Sequence, residues 1–99
     1  MSYFPRFAAA NTVTDVLLAA AATSATVLAA NAARLGLTLS NTSASTVYVY
    51  YGTTATATKF TVAIPSGSYW EMPAPLWKGR IDAIWAAAGA GSLIGTELA

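Results

Sequence analysis

Short runs of alternating apolar and polar residues fill most of this chain, and Gly, Pro, Ser or Asn interrupts each run before it reaches helical length. "RLGLTLSN" sets Leu35, Leu37 and Leu39 against Gly36, Thr38 and Ser40, and "GRIDAIWAA" sets Ile81, Ala83 and Trp85 against Arg80, Asp82 and Ile84. "KFTVAIP" sets Phe60, Val62 and Ile64 against Lys59, Thr61 and Ala63, and Pro65 ends it. Successive strand side chains take opposite sides, so each run offers one face to a core. In "TVTDVLLAAAA", Val13, Asp15, Leu17 and Ala19 alternate with Thr14, Val16 and Leu18. "SATVLAA", "TVYVYYG", "SGSYWEMP" and "SLIGTEL" complete the set, with Trp70 and Met72 opposing Tyr69 and Glu71. Seven to eight short antiparallel strands at this spacing predict an all-β, single-domain β-sandwich or jelly-roll-like barrel. "TVYVYYG" is expected to close a hairpin with "RLGLTLSN", and Gly89, Gly91 and Gly95 to serve as turn and bulge residues. "MSYFPRFAAANT" shows neither period and reads as an extended N-terminal arm, residues 1–12, before a sandwich domain, residues 13–99.

"TVYVYYG" carries large rings on both of its alternating sets: Tyr48 and Tyr50 on one, Val47, Val49 and Tyr51 on the other. One set belongs to the core, and the other is expected to be covered by something else. Composition makes that expectation sharper. Charged residues are 9% of the 99, against about 25% in ordinary soluble domains. Apolar residues reach 56%, but Ala fills 23 positions and brings little volume to a core. A bland, weakly charged chain with a modest core suits a subunit whose faces are occupied in an assembly.

Other partners and chemistries find less support. Arg6, Arg34, Lys59, Lys78 and Arg80 are scattered, with no basic stripe to follow a phosphate backbone, so no nucleic-acid partner is expected. There is no Cys and no His, which removes thiolate and imidazole chemistry, and no cofactor or metal is expected. The uncharged stretch from Val16 to Ala33 is rich in Ala, Thr, Ser and Asn rather than Leu, Ile and Phe, so no membrane span is expected. Arg6 is the only basic residue before that stretch and Asp15 interrupts its approach, which argues against a signal peptide. Of four carboxylates, Glu71 and Asp82 are the pair to weigh as the acid and base of a glycosidase, beside Trp70 or Trp77 as a sugar platform. The plainer expectation is that Asp82 pairs with Arg80 or Arg34, that Glu71 sits at a rim, and that the chain is no enzyme. Asn41, Thr42 and Ser43 match the acceptor pattern for N-glycosylation, a pattern that arises often by chance.

The aromatic residues point to protein partners. Trp70 and Trp85 fall on core faces by alternation. Tyr3, Phe4 and Phe7 surround Pro5 and Arg6 in the arm as anchors for a groove, and with Tyr48, Tyr50 and Trp77 they form the candidate interface set. Sugar sites also need Asp, Asn or Gln near their rings, and this chain has three Asn and no Gln.

"VLAANAARLGLTLSNTSASTVYVYYG", then "FTVAIPSGSYWEMP" and "GRIDAIWAAAGAGSLIGTEL", resembles small virion structural proteins of tailed bacteriophages. The shared pattern is an Ala-Asn turn and an Arg leading into a strand that ends in Asn, a strand that ends in Gly, a Gly-aromatic-Glu-Pro-like stretch and a last Gly-x-Ile…Trp strand. It covers about the last three quarters of the chain. The resemblance implies a β-sandwich on the capsid surface, a cement or decoration protein that forms a homotrimer and binds the major capsid protein. A tail, neck or fibre component is the alternative, and a carbohydrate-binding module for host attachment is a third. "EMPAPLWKG" departs from the pattern, with Trp77 and Pro75 making a bulkier loop.

Overall fold

The computed structural model describes residues 9–99. Eight strands are present among them: β1 (Val13–Ala19), β2 (Ala25–Leu28), β3 (Gly36–Asn41), β4 (Val47–Tyr51), β5 (Val62–Ile64), β6 (Tyr69–Glu71), β7 (Ile81–Trp85) and β8 (Ser92–Leu98). They form two antiparallel four-stranded sheets, β1-β8-β3-β6 and β2-β7-β4-β5. The pairs β1–β8, β2–β7, β3–β6 and β4–β5 are nested, as in one long hairpin rolled over itself. That strand order is a jelly roll, a form of the expected sandwich.

The nesting corrects one expectation. β3 and β4 do not form a hairpin: β3 lies between β8 and β6 in the first sheet, and β4 between β7 and β5 in the second. Residues 42–46 are therefore a crossing between sheets. Asn41 holds that crossing in place. Its Nδ2 donates to the carbonyls of Ser45 (2.8 Å) and Ile64 (2.9 Å), and its Oδ1 accepts from the Ser43 N–H (3.0 Å) and hydroxyl (2.7 Å). Gly91, at φ 97°, packs against this turn so closely that a Cβ there would lie 2.7 Å from the Thr42 carbonyl oxygen.

Alternation places the core as read. Val16, Leu37, Leu39, Met72 and Leu93 from the first sheet meet Val47, Val49, Ile64, Ile81, Ala83 and Trp85 from the second, all buried. Trp70 and Tyr51 are partly buried at the margin of this layer. Two residues depart from the reading. Gly95 is no bulge: it sits in regular register opposite Val16 and Leu39, with its α-carbon pressed against the carbonyl of Thr38, leaving no room for a side chain. Phe60 does not share the face of Val62 and Ile64. A bend at Thr61, whose N–H donates to Val49 and whose hydroxyl accepts from the Tyr51 N–H (2.9 Å), turns Phe60 to the outside, where it meets Tyr48.

Candidate functional site

Both ends of the described chain meet at one mouth of the sandwich. Thr12 and Ala99 exchange backbone hydrogen bonds, and Leu35 donates to Leu98. Between the sheets at this mouth lies Arg34, fully buried. Its Nε donates to Glu97 Oε2 (2.6 Å), Nη1 to the carbonyls of Trp77 (2.8 Å) and Gly79 (3.0 Å), and Nη2 to the carbonyl of Ala29 (2.9 Å). Asn31 donates to Glu97 Oε1 (3.2 Å). Because Glu97 shares the inward side of β8 with Leu93, the pair ties the β2–β3 turn and the loop before β7 to the first sheet. A carboxylate and three carbonyls accept from the guanidinium, the condition under which a buried charge is tolerated. Four of its five N–H groups are engaged in this way, which makes the arrangement a structural clasp.

The second sheet's outer face is largely covered by the chain itself. Residues 52–61 run across it. Asp82 points outward from β7, yet Thr54 and Ala55 cover it, and it is 2% exposed. It accepts from the Thr54 N–H (2.6 Å), from Arg80 Nε (2.8 Å) and Nη2 (3.2 Å), and from the Thr26 hydroxyl. Burial alone would raise its pKa, but the bonds from Arg80, Thr54 and Thr26 together outweigh burial and hold the carboxyl below its ordinary value. Farther along, Phe60 packs on Tyr48 with centroids 4.9 Å apart, and the Lys59 ammonium stands 5.1 Å from the Tyr50 ring centroid. Tyr48 and Tyr50 are thus half-buried beneath their own loop, which presents Lys59 and Phe60 to solvent in their place.

The first sheet's outer face is different. Strand register lays its side chains in rows, of which Ala19 with Ser92 is the outermost and three more follow. Leu17, Ile94, Ser40 and Tyr69 form one row across all four strands, Asp15, Thr96, Thr38 and Glu71 the next, and Val13, Leu98 and Gly36 the third. Neighbouring strands are about 4.8 Å apart, so each four-residue row spans about 14 Å. Leu17 is 75% exposed, Val13 65% and Tyr69 58%, with Ile94 and Leu98 also open. Tyr69 bends its hydroxyl onto Glu71 Oε2 (2.7 Å), a bond that raises the phenol pKa. Among the described residues, no segment of the chain crosses this face and no basic side chain stands on it.

The candidate residues separate accordingly. Tyr3, Phe4 and Phe7 lie outside the described residues. Tyr48 and Tyr50 share the second sheet's outer face, and Trp77 is at the mouth, stacked on Tyr51 and donating its Nε1–H to the Arg80 carbonyl (2.9 Å). Glu71 and Asp82 stand on opposite outer faces, so they cannot flank one substrate bond. Asp82 pairs with Arg80, one of the two partners expected, while Arg34 takes Glu97. Alternation strand by strand does not mark Val13, Leu17, Tyr69, Ile94 and Leu98 as one surface. The signal was the apolar character of both alternating sets in β1, where Val13 and Leu17 oppose Val16 and Leu18. Comparison of the chain with protein-family models, curated proteins and solved structures returns no match.

Proposed function

We propose that this protein is a non-enzymatic structural subunit that works by contact through the outer face of the β1-β8-β3-β6 sheet. The observation that carries the reading is the exposure of Val13, Leu17, Tyr69, Ile94 and Leu98 on one flat face of a chain with so little charge. Covering a fully exposed Leu or Val side chain is worth about 1.5–3 kcal/mol, so this face is a site of association energy. Exposed large apolar side chains gathered on one sheet face mark protein interfaces. The assembly we propose is a phage virion, with the protein as a cement or decoration subunit on the major capsid protein. The sequence resemblance supports that placement, and a jelly roll is a fold that capsid proteins use.

Electron microscopy of purified virions tests the placement. Density for this protein repeated over the capsid lattice is the expected result. Density confined to one vertex would assign it instead to the tail, neck or fibre, and its absence from particles would overturn the virion reading.

A further inference from the structure

The two outer faces of the sandwich carry opposite charge. The first sheet's face holds Asp15 and Glu71 in one row and, among the described residues, no base. The second sheet's face presents Lys59 on the β4–β5 loop, with Arg80 half-exposed beside Asp82. Each also offers apolar surface: Leu17, Ile94 and Tyr69 on the first, Phe60 over Tyr48 on the second. One molecule cannot bring together faces on opposite sides of its own sandwich. Two molecules can.

Resting on the proposed role of the first sheet's face, we infer that its occupant is a second copy of this chain, docked head-to-tail through its Lys59–Phe60 loop. A symmetric pairing of two first-sheet faces is disfavoured by the position of the charges. Asp15 and Glu71 occupy the two ends of one row, at β1 and β6. A two-fold axis along the strands, with the rows in register, sets Asp15 of one copy against Glu71 of the other. An axis across the strands that passes over this row sets each carboxylate against its own counterpart. Both arrangements oppose like charges over an apolar contact, which is destabilising. The head-to-tail arrangement places Lys59 against the Asp15–Glu71 row and Phe60 against Leu17 and Ile94. Its interface is heterologous and joins opposite sides of the sandwich, so each copy keeps one face free and association continues past the dimer into an open stack.

Sedimentation velocity of the full chain over a concentration series provides the test, at low and at high salt. The expected mass exceeds twice the 10.2 kDa monomer, and association weakens as salt screens the charges. Asp15→Lys with Glu71→Lys should weaken association about tenfold or more, as should Lys59→Glu, while combining all three should restore it. Circular dichroism and melting of each variant establish that the exposed substitutions leave the fold intact. Association unchanged by either charge reversal, a dimer that grows no further, or a monomer at every concentration would each overturn the head-to-tail pairing. Loss of capsid binding in Asp15→Lys/Glu71→Lys, with self-association unaltered, would give the face to another protein and overturn it equally. Absence from virions, by contrast, would sink the virion placement and leave this pairing standing.

Discussion

The indole of Trp77 lies flat on the phenol ring of Tyr51, with centroids 5.6 Å apart and planes within 3° of parallel. Trp77 also contributes its carbonyl to Arg34, so one residue closes the mouth with its ring and holds the buried guanidinium with its backbone. Gly79 makes this possible, because a Cβ there would run into the indole, with Cε2 only 2.8 Å away. Trp77→Ala is expected to lower stability by about 2 kcal/mol, below the ~3–5 of a fully buried Trp because 37% of the residue is exposed. Gly79→Ala should displace the same ring without removing it. Urea denaturation of both variants checks this, and stability equal to wild type in Gly79→Ala would show that the loop relaxes freely.

Arg34 and Glu97 make a second prediction. Removing one member leaves the other charged, buried and short of a partner, at a cost of about 3–5 kcal/mol. Arg34→Met should also strand the carbonyls of Ala29, Trp77 and Gly79. Glu97→Gln keeps the shape of the acceptor and should be the milder change. In a double-mutant cycle, Arg34→Met with Glu97→Leu is expected to cost less than the two single changes summed. Strict additivity would mean that the pair is not coupled.

Period-2 alternation made the sheet faces legible. Leu37, Leu39, Ile81, Ala83 and Trp85 are buried where the pattern puts them, because a one-residue slip would expose the whole set. Pairing was less legible, since alternation says which way a side chain points and nothing of which strand lies alongside. The mistaken β3–β4 hairpin came from proximity in sequence. The crossing that replaces it depends on how Asn41 spends its amide, which no periodicity records. Gly95 looked like punctuation because the closeness of the Thr38 carbonyl is a tertiary fact. The cover over the second face of β4 was not legible: alternation implied another protein, and the chain's own Lys59 and Phe60 supply part of it. The open face needed the register, because Leu17, Ile94 and Tyr69 are far apart in sequence and join only when β8 and β3 lie between β1 and β6.

Asp82 predicts an acid dependence. Its folded pKa is lowered relative to an unfolded value of about 3.9, so its contribution to stability is fully present above about pH 5 and is lost as pH falls through the folded value. Asp82→Asn should melt at lower temperature than wild type at pH 7, because the amide is uncharged and cannot serve Arg80 and Thr54 as the carboxylate does. The gap between the two proteins should narrow as pH drops from 5 towards about 2. Calorimetry at a series of pH values checks the direction. A gap that widens on acidification would mean that the Asp82 carboxyl is not held in its ionised form.

Asn41 carries the last prediction. It begins the Asn-Thr-Ser pattern of an N-glycosylation acceptor, but it is 1% exposed and its amide is fully engaged with the crossing from β3 to β4. Glycosylation needs the same Nδ2 that donates to Ser45 and Ile64, and a glycan there has no volume to occupy beneath Ser43 and Ser66. Expression in a glycosylating host should therefore yield a folded chain of unmodified mass by intact-protein mass spectrometry. The residue matters instead for stability. Asn41→Ala leaves the Ser43 N–H without its acceptor and removes the amide's bonds to the Ser45 and Ile64 carbonyls, and burying such groups under-satisfied costs about 1–3 kcal/mol each where water cannot reach them. A loss of about 2–4 kcal/mol in urea denaturation is expected once partial rehydration of the turn is allowed for. Asn41→Asp retains the acceptor but loses both donated bonds and buries a charge, so it should be no better than the alanine variant. A glycosylated, fully folded protein, or an alanine variant as stable as wild type, would show that the amide is not what holds the crossing between the two sheets.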